Sequence, residues 1–114
     1  MVLKHGNLDS IRNIIDVRDA MHTYWLACEK CLPGEAYNIG GKTVISVGDF
    51  LDKLKSFSKC PIRSELDTNL LRPVDCTRQI PDTSKFDTLT NWQPKYTLDE
   101  SINWLLETYR KEIK

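Results

Sequence analysis

Near its amino end the sequence reads GNLDSIRNIIDVRDA (residues 6–20), a stretch with the signals of a strand followed by a helix. The apolar pair Ile14–Ile15 indicates a short strand, and Asp16 is a residue type that caps helices. Asp19 stands three positions on, where a carboxylate favours the amino terminus of a helix. Apolar side chains then recur at helical spacing: Val17, Met21, Tyr24, Trp25 and Cys28. The stretch therefore predicts a strand followed directly by a helix, which Pro33–Gly34 ends.

Two further long helices are indicated by capping pairs. Ser46 with Asp49 begins one of them. Its apolar face comprises Val47, Phe50, Leu51, Leu54 and Phe57. Thr97 with Glu100 forms a capping box for the other. Its apolar stripe comprises Ile102, Leu105, Leu106, Tyr109 and Ile113. A shorter helix from Asp82 is predicted to carry Phe86 and Leu89.

Strand signals are fewer than helix signals. The segments Ala36–Ile39 and Ile62–Leu66 predict short strands bounded by turn residues. Residues Asn69–Pro81 contain two prolines and little periodicity, so they predict an ordered loop. The predicted fold class is α+β (mixed α/β), with three to four helices and a few short strands. So few strands for this number of helices indicate a portion of a larger fold.

Composition excludes several classes of function. The 114 residues suit a single domain, and 16 basic residues balance 16 acidic ones. No net charge therefore recruits nucleic acid or an anionic membrane. No apolar run approaches the roughly 20 residues of a membrane span, and the first residues lack the pattern of a signal peptide. The expected compartment is the cytoplasm.

The four cysteines do not predict a metal site. Cys28 and Cys31 form a C-x-x-C at the end of a predicted helix, while Cys60 and Cys76 stand alone. A structural zinc site needs a second ligand pair, which the sequence does not provide. We therefore predict reduced, structural thiols and no metal ligands.

Arginines beside short carboxylates are the clearest chemical signal. Arg12 lies in the opening stretch, and Arg72-Pro73-Val74-Asp75 follows later. A guanidinium offers a fixed fork of donors that matches two oxygens of a diphosphate. A carboxylate accepts from a ribose diol in other nucleotide sites, and Pro73 stiffens the backbone between Arg72 and Asp75. A simple surface pair between Arg72 and Asp75 is the alternative that spacing alone leaves open.

Five motifs occur in order along nearly the whole chain. They are Asn7-Leu8-Asp9-x-x-Arg12, Asp16-Val17-Arg18-Asp19, Gly34-Glu35-x-Tyr37-Asn38-Ile39-Gly40-Gly41, Leu71-Arg72-Pro73-Val74-Asp75, and Pro81-Asp82-x-Ser84-Lys85 followed by Trp92-x-Pro94. In this order and at these distances they resemble the carboxy-terminal part of the extended short-chain dehydrogenases/reductases. The closest pattern is that of the GDP-mannose 4,6-dehydratase family.

The resemblance implies that residues 1–114 form one substrate-binding region. In that family, the arginines matching Arg12 and Arg72 hold the nucleotide diphosphate, and the acid matching Asp75 holds the ribose. The segment around Asn7 and Leu8 lies near the sugar nucleotide. The candidate substrate-binding residues are therefore Asn7, Leu8, Arg12, Arg72 and Asp75, and the expected ligand is a GDP-linked sugar, bound weakly.

The family's catalytic and cofactor motifs find no counterpart in the sequence. Its NADP fingerprint needs a glycine-rich turn that the five glycines do not form. Its catalytic pair is a Tyr with a Lys four residues later. Four residues after the four tyrosines stand Cys28, Gly41, Glu100 and Ile113. No catalytic or cofactor-binding residue is therefore assigned, and the chain alone is expected not to turn over substrate.

Alternative functions and the assembly state also follow from the resemblance. The same pattern suits the equivalent portion of a GDP-4-keto-6-deoxymannose reductase or an NDP-sugar epimerase. A non-catalytic oligomeric interaction module is the alternative outside the enzymes. Residues 14–41 resemble elements that pack on the family's Rossmann domain. Without that cover, the strand Ala36–Ile39 and the apolar stripe of the first helix predict a homo-oligomer, most simply a two-fold dimer.

Overall fold

Helices and short strands alternate along the computed structural model, which describes residues 1–113. The strands are β1 (Val2–His5), β2 (Ile11–Ile14), β3 (Thr43–Ser46), β4 (Arg63–Leu66) and β5 (Arg78–Gln79). The helices are α1 (Val17–Lys30), α2 (Val47–Ser56), α3 (Ser84–Thr90) and α4 (Leu98–Glu112), with a 3₁₀ turn at Thr68–Leu70. The mixed α and β fold class with few strands is therefore confirmed.

The chain divides into two compact units. The first unit comprises Met1–Arg12 and Ile45–Gln79, and the second comprises Asn13–Val44 and the chain from Ile80 onward. In the first unit β1 and β4 pair in parallel, with Val2 opposite Arg63. Strand β2 pairs in parallel with β5, and the strand order of that sheet is β3-β2-β5.

Three helix predictions are confirmed by the observed caps, whereas the helix predicted from Asp82 begins at Ser84 and has no side-chain cap. The Asp16 carboxylate accepts from the backbone N–H of Arg18 at 2.8 Å, before the first turn of α1. Ser46 Oγ accepts from the Asp49 N–H at 3.0 Å to begin α2. The box that begins α4 is complete, because Glu100 Oε2 also accepts from the backbone N–H of Thr97 at 2.8 Å.

The core of the second unit is small and partly polar. Its buried apolar side chains are Phe86, Trp92 and Ile102. Asp19 is also buried, and its carboxylate accepts from the backbone N–H groups of Lys95 and Tyr96 at 3.1–3.2 Å. The sequence assigned Asp19 only an effect on the helix terminus. In the structure it holds the turn that precedes α4.

Arg18 links the starts of α1 and α4 in the second unit. Its guanidinium donates to both carboxylate oxygens of Asp16, at 3.0 and 2.8 Å. It also lies 3.6 Å from the ring centroid of Tyr96 and 4.3 Å from that of Trp104. Such stacking of a guanidinium on aromatic rings is favourable. The hydrogen bonds from Arg18, and a further one from Ser101, hold the pKa of Asp16 far below its usual value although burial opposes this.

Three strand and loop predictions need correction. Residues 36–39 are not a strand, because a strand needs a paired neighbour and these residues pair with none among residues 1–113. The first predicted strand lies earlier in the chain, at Ile11–Ile14, and leaves out Ile15. The predicted loop Asn69–Pro81 contains β5, because Arg78 and Gln79 find a partner in β2. Ile62–Leu66 is confirmed as β4, beginning one residue later.

The apolar stripe of α1 is exposed to solvent. Exposure is 54% for Val17, 55% for Met21, 62% for Tyr24 and 64% for Trp25, and Cys28 is exposed as well. The buried positions of this helix are instead Asp19 and Thr23. The periodicity therefore located the helix correctly, but the stripe does not face the core of the second unit.

Candidate functional site

A cavity of about 300 Å³ lies within the first unit. Its lining comprises Gly6, Asn7, Ser10, Arg12, Val47, Leu70, Arg72 and Asp75. These residues come from the loop between β1 and β2, from β2 itself, from the start of α2, and from the segment around and after the 3₁₀ turn. Four of the five residues predicted from the sequence meet here: Asn7, Arg12, Arg72 and Asp75.

The Asp75 carboxylate is the centre of the hydrogen-bond network. Its Oδ2 accepts from Asn7 Nδ2 at 3.1 Å and from Ser10 Oγ at 3.2 Å. Its Oδ1 accepts from Arg12 Nη2 at 3.3 Å. The bond from Asn7 lowers the pKa of Asp75 most, helped by Ser10 and by the charge of Arg12. The group is therefore a carboxylate at neutral pH, ready to accept hydrogen bonds.

Asn7 is oriented by its own loop. Its Oδ1 accepts from the backbone N–H of Asp9 at 2.9 Å, so the amide nitrogen must be the atom that faces the cavity. That nitrogen donates to Ser10 Oγ at 2.9 Å as well as to Asp75. A local turn of this kind fixes the side chain before any ligand arrives.

The Arg12 guanidinium is held from one side only. Its Nη1 donates to the carbonyl oxygens of Ile11 at 2.9 Å and Cys76 at 2.8 Å, and its Nη2 donates to Asp75. A guanidinium has five N–H donors. The donors on Nε and the second one on Nη2 are thus left for an anion in the cavity.

Arg72 contributes a second positive charge to the cavity. Its side chain is exposed and makes no hydrogen bond or ion pair within the part of the chain that the structure describes. The alternative of a surface pair between Arg72 and Asp75 is therefore wrong, since the ion-pair partner of Asp75 is Arg12. Tertiary folding brings Arg12, 63 residues away in sequence, to this carboxylate.

The sequence prediction included Leu8 and omitted Ser10. Leu8 is not among the residues that line the cavity, and its carbonyl oxygen accepts from the N–H of Gly48 at 2.8 Å, near the start of α2. Ser10 is only 2% exposed and connects Asn7 to Asp75. A serine three residues after Asn7 was the available signal, but a lone hydroxyl in a loop does not reveal its partner.

The cysteines and possible metal ligands add no second site. No cluster of three or more His, Cys, Asp or Glu side chains suited to a metal ion occurs within residues 1–113. All four cysteines are free, and Cys28, Cys60 and Cys76 are exposed. The expectation of structural thiols is therefore wrong for these three, because exposed thiols do not pack a core.

Comparison with known proteins decides the family. Residues 1–105 match the family model described as GDP-mannose 4,6 dehydratase. The chain belongs to this family. The resemblance inferred from the residues is therefore confirmed.

Related proteins match this chain at low identity. The dTDP-D-glucose 4,6-dehydratase of Mus musculus is 29% identical over 114 residues, covering 96% of this chain and 32% of its own. The structure of RMD from Pseudomonas aeruginosa complexed with NADPH matches with a TM-score of 0.88 at 19% identity, covering 98% of this chain and 37% of that one. UDP-glucuronic acid 4-epimerase from Bacillus cereus, in complex with UDP-glucuronic acid and NAD, matches with a TM-score of 0.83 at 22% identity, covering 97% and 35%.

The chain spans about a third of the length of the curated relatives it matches. At the identities of the two solved structures, the similarity shows the fold alone. Those relatives include dehydratases and a reductase, and the solved structures include epimerases. Within residues 1–113, no helix has both the length and the apolar character needed to cross a membrane.

Proposed function

We propose that this chain is the sugar-nucleotide-binding portion of a GDP-mannose 4,6-dehydratase-like, NAD(P)-dependent enzyme. The observation that carries the proposal is the meeting of Arg12, Arg72 and Asp75 at one cavity within the first unit. Two guanidinium groups suit a diphosphate, and an ionised carboxylate suits a ribose diol. The cavity volume lies at the lower end of the range for ligand sites.

Each polar residue of the cavity has a distinct task in this proposal. Arg12 offers two remaining N–H donors, and Arg72 offers a guanidinium whose charge no carboxylate balances. Together they neutralise a diphosphate. Asp75 accepts a ribose hydroxyl, and Asn7 and Ser10 hold its carboxylate in place. Leu8 acts indirectly, by tying the loop to α2 through its carbonyl. Binding, not bond making, is the chemistry these side chains can perform.

The nicotinamide cofactor of the family is not assigned to any residue of this chain. The five glycines stand at positions 6, 34, 40, 41 and 48, and none of them forms the G-x-G-x-x-G turn that holds a dinucleotide. The residues present therefore do not fit that group. We propose instead that residues 1–114 serve as one substrate-binding region, with residues 14–41 as the elements that pack on a dinucleotide-binding domain in longer relatives.

The first test is nucleotide binding. Titration of the labelled chain with GDP, followed by NMR, is expected to show weak binding, on the order of millimolar, with shifts at Arg72 and Asp75. Arg72→Ala is expected to weaken binding beyond detection, because it removes the uncompensated charge of the cavity. The same titration with UDP and dTDP compares the affinities of the chain for nucleotides with different bases.

Arg110→Ala is the matched control for this test. Arg110 lies in the second unit, pairs with Glu107, and is not among the residues that line the cavity. Its removal is expected to leave the GDP shifts unchanged. Equal weakening by the two substitutions would show non-specific attraction to positive charge and would refute the site.

We also propose that the 114-residue chain forms a homo-oligomer through the exposed stripe of α1. The stripe places Met21, Tyr24 and Trp25 together on one helix face, each more than half exposed. Large apolar patches tend to be buried by association. Residues 36–39 form no edge strand, so the second copy is expected to contact α1.

Sedimentation at micromolar concentration measures this association directly. A double substitution, Tyr24→Ser with Trp25→Ser, is expected to shift the chain to monomer, because it removes the two largest exposed rings of the stripe. Leu32→Ser, at an exposed apolar residue beyond the end of α1, is the control. A wild-type chain that sediments as a monomer would rule the proposal out.

A further inference from the structure

We propose that the first unit opens by itself while the second unit stays folded, so that the cavity exists only in molecules whose first unit is closed. The opening follows from what holds each unit together and needs no ligand. Its consequence for ligand binding rests on the proposed nucleotide site and adds a means of regulation to it. Every residue that lines the cavity belongs to the first unit.

The two units differ in how much apolar surface they bury. Within residues 1–113 the buried apolar side chains are Phe86, Trp92 and Ile102, and all three lie in the second unit. In the first unit, every residue of which the structure describes, the one buried residue is Ser10. Burial of apolar surface is the dominant favourable contribution to folding. The first unit is therefore expected to be the less stable of the two.

The strands and the helix of the first unit leave much of their apolar surface in contact with water. Strands β1 and β4 form a sheet of two strands, on which Val2, Leu3 and Leu66 are 41–58% exposed. A two-stranded sheet is marginally stable unless it packs against further structure. Helix α2 has ten residues and none of them is buried. A helix of this length depends on tertiary packing for its stability.

Polar bonds join the two chain segments that form the first unit, Met1–Arg12 and Ile45–Gln79. The Gly48 N–H donates to the carbonyl oxygen of Leu8 at 2.8 Å. The Asp75 carboxylate accepts from three side chains of the other segment. Water satisfies the same groups when the segments separate, so each bond contributes only modestly to stability. Opening breaks these bonds but uncovers no fully buried apolar side chain.

The second unit has contacts that oppose local opening. Its opening would expose Phe86 and Ile102, which are 0% and 2% exposed in the folded chain. It would also remove the backbone donors of Lys95 and Tyr96 from the buried carboxylate of Asp19. The free energy of opening is therefore expected to be larger for this unit than for the first.

A ligand of the cavity binds only the closed first unit. Opening separates Asn7 and Arg12 from Asp75, because these residues lie on different chain segments. The measured dissociation constant is then the intrinsic one divided by the closed fraction. Binding in turn raises the closed fraction. A change that lowers the closed fraction therefore weakens binding without altering any residue of the cavity.

Hydrogen exchange of the wild-type chain, followed by NMR, measures the opening residue by residue. The amides of Leu51 and Leu54 in α2 are expected to be about a hundredfold less protected than those of Ile102 and Leu106 in α4. All four amides lie within helices, so the comparison is between similar hydrogen bonds. Equal protection in the two helices would show a single cooperative unit and would overturn the inference.

Two substitutions test whether the second unit stays folded when the first unit opens. Ile102→Val shortens a buried side chain and is expected to speed exchange at Leu106 about fivefold while leaving Leu54 unchanged. Leu51→Ala removes half-buried apolar atoms from α2 and is the matched control, expected to speed exchange at Leu54 about tenfold. If Ile102→Val sped exchange at Leu54 as much as at Leu106, the first unit would not open by itself.

Exchange in the presence of GDP separates this inference from the proposed function. At ten times its dissociation constant, GDP is expected to slow exchange at Leu54 about tenfold. If GDP does not bind but α2 is less protected than α4, the nucleotide site is wrong and the separate opening stands. If GDP binds but the two helices are equally protected without it, the site stands and the separate opening is wrong. Binding of GDP that left exchange at Leu54 unchanged would refute the link between the closed unit and the ligand.

Discussion

A Gly41→Ala substitution is expected to destabilise the chain by about 3 kcal/mol or more, because overpacking against rigid backbone is costly. A Cβ at this position would lie 1.9 Å from the carbonyl oxygen of Ile14 and 3.1 Å from the Cα of Ile15. Both are main-chain atoms, so no flexible side chain can move aside. Urea unfolding, followed by tryptophan fluorescence, to which the buried Trp92 contributes, measures the loss.

Hydrogen bonds make this clash harder to relieve. Asn13 Nδ2 donates to the carbonyl oxygen of Gly41 at 2.8 Å, and its Oδ1 accepts from the N–H of Gly41 at 2.7 Å. The side chain of Asn13 therefore holds residue 41 against the backbone that a methyl group would strike. Moving residue 41 outward to relieve the clash would break both bonds.

Gly34→Ala is the matched control. Gly34 has a φ of 81°, but no atom lies within 4 Å of a Cβ built there. Its substitution is expected to cost only the strain of a left-handed conformation, about 1 kcal/mol. If Gly41→Ala and Gly34→Ala lowered the free energy of unfolding equally, close backbone approach would not be the reason for glycine at position 41.

The second large effect is expected at Asp19. Asp19→Ala should lower the free energy of unfolding by about 3–5 kcal/mol, because it leaves the backbone N–H groups of Lys95 and Tyr96 without their charged acceptor. Asp19→Asn should cost less. One oxygen, placed where Oδ2 lies, is within 3.1–3.2 Å of both donors.

Asp49→Ala is the control for position in the helix. Asp49 is the third residue of α2, as Asp19 is the third residue of α1, but Asp49 is exposed. Its removal is expected to cost only the favourable interaction with the helix dipole, about 0.3–1 kcal/mol. Equal losses at the two positions would mean that Asp19 acts through the helix terminus after all.

Local chemistry explains which parts of the fold were predictable. A cap such as Ser46 or Thr97 acts within three residues of its own helix, so the sequence places it correctly without knowledge of the rest. A strand needs a partner, and its pattern does not say where the partner is. Residues 36–39 have the composition of a strand and pair with none among residues 1–113. Residues 78–79 lack strand periodicity and pair with β2.

In the candidate site, too, the residue types were predictable from the sequence, whereas the contacts between distant residues were not. Arg12, Arg72 and Asp75 indicate an anion and a diol as ligands, because the charge and hydrogen-bonding groups of a side chain are known from its residue type alone. Which arginine pairs with Asp75 depends on a contact between residues 63 positions apart, and spacing favoured the wrong one. Ser10 acquires its task only from the buried position between Asn7 and Asp75.

The sequence by itself determined three helices with their caps, the presence of a shorter fourth helix, the family, and four of the residues that line the cavity. These features depend on interactions within a few residues or on motifs carried by the chain. Only the tertiary structure decided that Asp19 holds the turn before α4, that the stripe of α1 faces solvent, and that Arg12 forms the ion pair with Asp75. Each of these depends on atoms far apart in sequence, whose meeting is decided by the packing of the whole unit.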